Sequence, residues 1–133
     1  MQKTIMLALL LACGTAQAAE WVPVAKNSQL EVFVDVSSIR IAGEIRRVWL
    51  KMVVQPHSER GVGEDANKWV AYKQSREVFH CSDETHYGEA LTYYYSDGSN
   101  RTVAMDPNLA WEPVAPDTVV EAVMHFVCAW KPK

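Results

Sequence analysis

Three cysteines, Cys13, Cys81 and Cys128, and four histidines, His57, His80, His86 and His125, are the side chains of this chain most suited to redox, metal or haem chemistry. Their spacing supports little of it. No Cys-x-x-Cys, His-Glu-x-x-His or comparable ligand cluster occurs, so no metal site is expected. His80 and His86 flank a turn at a spacing that brings them near each other across a hairpin, and His57 lies in a long polar loop. Haem or small-ligand binding by histidine therefore stands as an alternative to four surface histidines, with no cofactor as the main expectation. For catalysis there is no nucleophile beside a base, no Gly-x-Ser-x-Gly and no phosphate-cradling glycine loop. Glu64-Asp65 and Asp83-Glu84 sit in stretches that read as solvated loops. No catalytic residue is expected, and a binding role is left.

Binding would need an exposed aromatic or charged surface. In Tyr93-Tyr94-Tyr95, Tyr93 and Tyr95 share one face of a strand and Tyr94 takes the other; they either form such a surface or pack beneath a covering element. Lys68, Lys73 and Arg76 make a modest basic strip. A regular strand puts Lys73 and Arg76 on opposite pleats, which divides the charge and leaves a solvated surface as the rival reading. The expected partner surface is the strand from Trp69 to Cys81 with the loop before it.

The cysteines depend on the compartment. Met1-Gln2-Lys3, an apolar run from Ile5 to Ala12 and Ala16-Gln17-Ala18 read as a secretory signal peptide cut before Ala19. The run is too short to span a bilayer, and no transmembrane span is expected. Residues 1–18 are thus read as signal and 19–133 as one domain. A competing cut exists, because Leu10-Leu11-Ala12-Cys13 resembles a lipobox in which Cys13 would be lipidated. The plain cut is preferred, since only 12 residues precede Cys13. Either cut removes Lys3 and moves the formal charge from −3 to −3 − 1 = −4; that mild acidity argues against nucleic acid as partner. The chain should be exported, to the periplasm or the outer-membrane surface of a Gram-negative bacterium. There Cys81 and Cys128 form a disulfide by default, with reactive or metal-bound thiols as the alternative.

The elements that position these residues are mostly strands. Glu20-Trp21-Val22-Pro23-Val24 is the first, a short one, with Pro23 suited to a sheet edge. Leu30–Val36 follows, and then the longest pattern, from Glu44 to Gln55. In it Val48, Leu50, Met52 and Val54 alternate with Arg47, Trp49, Lys51 and Val53, as in a central strand covered on one side. A polar loop spans Pro56 to Lys68. Trp69–Cys81 and Thr85–Tyr95 are strands, Ser96-Asp97-Gly98-Ser99 is a hairpin turn, and Arg101–Met105 completes the hairpin. Pro116-Asp117 opens a C-terminal helix with Asp117 as its expected cap, and Val120, Val123, Met124 and Val127 lie on one stripe. The expectation is an α+β fold: a curved antiparallel β-sheet of about six strands with a C-terminal α-helix packed on one face and tethered by a disulfide.

Trp21-Val22-Pro23-Val24, Phe33-Val34-Asp35 with Ser38-Ile39, Val48-Trp49, Cys81, Trp111-Glu112-Pro113-Val114-Ala115-Pro116-Asp117-Thr118 and Cys128 together resemble the surface-adhesin protein E family of bacterial secreted and lipid-anchored proteins. The resemblance covers nearly all of the mature chain. It implies a helix packed on the concave side of the sheet, a Cys81–Cys128 bridge, and structural roles for Asp35, Ser38 and Trp49. It further implies a protein partner, such as a host extracellular-matrix or serum protein, with haem binding also ascribed to the naming member. The strand before Cys81 is less basic than an adhesin's contact strand. A periplasmic envelope protein with a structural or assembly role is the alternative function.

Overall fold

The computed structural model describes residues 18–133 other than 107 and 109. Cys13 and all but the last residue of the expected signal lie outside the described residues. Eight strands come first: β1 (Trp21–Lys26), β2 (Leu30–Asp35), β3 (Arg40–Ala42), β4 (Ile45–Val54), β5 (Val70–His80), β6 (Thr85–Tyr95), β7 (Asn100–Val103) and β8 (Glu112–Pro113). One helix, α1 (Val119–Ala129), follows. They make one open antiparallel sheet in the order β1-β2-β4-β5-β6-β7, with β3 paired to β4 and β8 to β6.

Turn chemistry sets this order locally. Asn27 Oδ1 accepts from the amides of Gln29 and Leu30 at 2.8 and 2.9 Å, closing the β1–β2 turn. Gly98 takes φ of 89°, and Asp97 Oδ1 accepts from the Ser99 amide, closing β6 onto β7. β1 is an outer strand of the sheet, as Pro23 requires, and its register to β2 slips between Pro23 and Ala25.

Asp35 ends β2 and ties three segments together. Its Oδ1 accepts from the amides of Glu20 and Ser37 and from Ser37 Oγ. Ser38 Oγ donates to the Asp35 carbonyl and accepts from the Trp49 amide at 2.9 Å, which fixes the crossing to β4. From the sequence, Ser37-Ser38-Ile39-Arg40-Ile41 reads as continuing from the Leu30–Val36 strand into a turn at Ala42-Gly43. Instead Val36–Ser38 forms a 3-10 turn and Arg40–Ala42 becomes β3, because Asp35 caps that turn and redirects the chain.

The core lies between α1 and one face of the sheet: Val32, Val34, Val48, Leu50 and Phe79 meet Val123, Met124 and Val127. A smaller cluster, Val54, Val70 and Tyr95 with Leu30 and Tyr93 against it, forms beyond it. The polar loop packs there; a Cβ on Gly61 would stand 2.7 Å from the Tyr95 ring and 2.3 Å from the Asp65 carbonyl oxygen, so only glycine fits.

The helix does not start as expected. Asp117 takes φ of 58° and is not the cap. Thr118 caps α1, its Oγ1 accepting from the Glu121 amide at 3.2 Å, while Glu121 Oε1 accepts from the Asp117 amide at 3.3 Å. Thr118-Val119-Val120-Glu121 is a capping-box pattern, and its hydroxyl reaches the third amide of the helix better than Asp117 can.

Cys81, one residue past β5, and Cys128, in the last turn of α1, are bridged with a Cα–Cα distance of 5.8 Å and a sequence separation of 47. The loop so closed constrains the unfolded chain by about 4 kcal/mol. Cys128→Ala should therefore lower the unfolding free energy by about 4 kcal/mol in urea titration, and neither thiol of the unreduced native protein should react with maleimide.

Candidate binding surfaces

The expected basic strip divides between two sides of the sheet. Lys73 lies opposite Met52 and Tyr93 on the side that carries α1; its Nζ binds Glu59 at 2.9 Å and stands 5.9 Å from the Tyr93 ring. Lys68 sits at the same end, 3.1 Å from Asp65 and 3.6 Å from Asp97. Arg101 shares Asp65, and the bonds of Arg101 and Lys68 hold that carboxyl below the usual range. Tyr93 and Tyr95 stack at 6.4 Å beneath the loop, with Tyr95 buried and Tyr93 half-buried.

Arg76 is on the other side, opposite Trp49, with its guanidinium 5.7 Å from the indole. Around Trp49, Lys51 and Tyr72 no helix or strand covers this outer face among the described residues; at its far end Val78 is buried and Trp111 packs on Tyr87 and His80. Tyr72 and Tyr94 stack there at 4.4 Å, and Lys51 Nζ caps Tyr72 at 4.5 Å. Val53, opposite Tyr72, is exposed. Among the described residues Lys51 makes no ion pair.

A bulge sharpens one end of that face. Arg76 pairs with Ala90 and Glu77 with Gly88, so Glu89 is an extra residue on β6. Its carboxylate takes Arg47 at 2.7 Å and Arg76 at 2.6 Å. Glu89 is 17 % exposed against 48 % and 42 % for the two arginines, so the carboxylate is covered while both guanidiniums reach solvent. They border an open cleft of about 500 Å³ with Tyr87. The Arg47 hydrogen bond is the largest influence on Glu89; burial opposes it, and the charges of Arg47 and Arg76 add to it, so the carboxyl stays below its ordinary range.

The histidines are not gathered. His57 lies against Trp69, His80 against Trp111, and His125 is exposed on α1. His86 lies opposite Phe79 and His80 opposite Thr85, one pleat on, so their rings take opposite faces. Among the described residues no three His, Cys, Asp or Glu side chains form a metal-binding group, and no helix is long and apolar enough to cross a membrane.

Arg47, Trp49, Lys51, Tyr72 and Glu89 were not among the expected binding residues. The first three did leave a signal, as the polar and aromatic pleat of β4. Nothing in the sequence marked the bulge that brings Glu89 between two arginines.

Because Glu89 titrates lower in the folded chain than unfolded, its contribution is full above the unfolded carboxyl range and fades as pH falls through its lowered folded value. Glu89→Gln should thus melt below the parent at pH 7, and the two melting temperatures should converge as pH drops below about 4.

A family model described as surface-adhesin protein E matches residues 21–129. No curated protein matches the chain. Among solved structures, Haemophilus influenzae protein E is similar over 90% of this chain and 91% of that one, with a TM-score of 0.57 at 15% identity. At that identity the likeness concerns the fold, whereas the family match spans most of the sequence. The chain belongs to the surface-adhesin protein E family.

Proposed function

We propose that this protein is an exported adhesin whose partner is a protein of the host matrix or serum, held against the face of the sheet opposite α1. The observation that carries the reading is the uncovered row of Trp49, Lys51, Tyr72, Tyr94 and Arg76, in which rings and cations are already held in place by one another. Aromatic and arginine side chains supply much of the energy of protein interfaces, and pre-ordered ones lose little entropy on docking. On this pleat Arg47, Lys51 and Arg76, together with Lys26 and Arg40, outnumber Glu89 and Glu31, in a chain of net charge −3. An acidic partner surface with apolar patches fits that balance. Membership of an adhesin family favours binding over catalysis.

Surface plasmon resonance against immobilised matrix and serum proteins tests the face. Lys51→Glu and Arg76→Glu together should weaken binding at least tenfold, and Lys73→Glu, on the helix side, should leave it within twofold. The reverse ranking would place the contact under the loop instead. Protease added to intact cells should remove the protein while a periplasmic control survives; protection would favour a periplasmic envelope role. On this reading no haem is needed, and haemin titration should give no Soret shift.

A further inference from the structure

Beneath the first turns of α1 lies a cavity of about 90 Å³. Val119, Val120 and Val123 roof it, and Leu50 and Met52 form part of its floor. Against this aliphatic lining β5 sends two polar side chains, Ser75 and Glu77, and β6 sends His86. A covered strand face is where polar groups are least expected, because each must recover inside the protein the hydrogen bonds it gives up to water.

They recover them poorly. Ser75 is 4% exposed, and its Oγ has no hydrogen-bond partner. The hydroxyl is near enough to Glu77 to favour the charged carboxylate, but not in bonding geometry with it. Glu77 Oε2 stands 3.5 Å from His86 Nδ1, at the outer limit of a hydrogen bond. Burial pushes the Glu77 carboxyl up, against the opposing pull of His86. Gly88 makes room for this carboxylate, since a Cβ there would stand 3.3 Å from Glu77 Oε1.

An unpartnered Ser75 hydroxyl and a Glu77 carboxylate with a long 3.5 Å contact to His86, on the wall of an otherwise apolar cavity, define what would fit. The occupant needs several N–H donors at one end and a short apolar body at the other. The Glu77 carboxylate beside the Ser75 hydroxyl attracts a cation and repels an anion. The volume is well below that of ordinary ligand sites and suits about five heavy atoms. We propose that this cavity is a binding site for a small primary alkylamine of about butylamine size, its ammonium held by Glu77 and Ser75 and its chain lying under Val120. The site is separate from the outer face and independent of adhesion.

Titration of the intact protein with n-butylamine at pH 8, followed by amide chemical shifts, provides the test. At this pH the amine, of ordinary pKa near 10, is protonated. Shifts should saturate and centre on Ser75, Glu77, His86 and Val120, with a dissociation constant no tighter than about micromolar for so small a ligand. Butyrate should produce no saturable shift. Glu77→Gln, close to isosteric, should weaken butylamine at least tenfold while keeping the native spectrum, and Val120→Phe should abolish binding by filling the cavity. If Val120→Phe does not fold, the Glu77→Gln comparison decides alone. Absence of saturation with butylamine, equal binding by Glu77→Gln, or equal binding of butyrate would overturn the assignment.

Discussion

The supply of covering structure is the constraint from which the rest follows. An eleven-residue helix is about 16 Å long and 10 Å thick. The sheet it must cover has six strands abreast, about 24 Å across, and its longest strands run about 35 Å. One helix therefore roofs only part of one face. The cysteine bridge pins α1 over β2, β4 and the end of β5, where the large core forms. The polar loop closes over the remaining apolar end, around Tyr95. Among the described residues the opposite face is covered only at its Trp111 end, and the rings of Trp49, Tyr72 and Tyr94 stay half-buried.

That division explains how the charges are used. On the roofed side, Lys68, Lys73 and Arg101 are each satisfied by carboxylates of the loop or the nearby turn, and so they work as clips that hold the loop down. On the open side, two arginines share the single carboxylate of Glu89, and Lys51 rests on a ring. Positive charge there is positioned without being fully consumed. The same side-chain types thus clip the loop down on one face and stay turned to solvent on the other.

Much of this architecture could be read from residue order alone. Alternation in β4 and β6 separated Val48, Leu50 and Val54 from Trp49 and Lys51, and Tyr93 from Tyr94, and the parity of Lys73 and Arg76 held. What could not be read was which pleat the helix would cover, since that depends on packing between residues dozens of positions apart. Arg40–Ala42 was missed because three residues are too few to show alternation. Pro116-Asp117 predicts Asp117 as the cap, but Thr118 beside it is also a good capping residue, and Glu121 marks it only once its reach is known. Ser75 and Glu77 share the pleat of Lys73 and lie beneath α1, a placement their polarity does not suggest.

The bridge between Cys81 and Cys128 also determines how the molecule answers a pull. Tension applied between Ala19 and Lys133 travels along the chain to Cys81, crosses the sulfurs and leaves at Cys128. The 47 residue steps between them, about 160 Å of contour, are taken out of the load path. β6, β7, β8 and most of α1 then carry no direct force, while β1, β2, β4 and β5 must be sheared or peeled apart. A chain bridged in this way is short under strain and stiff at its C-terminal end.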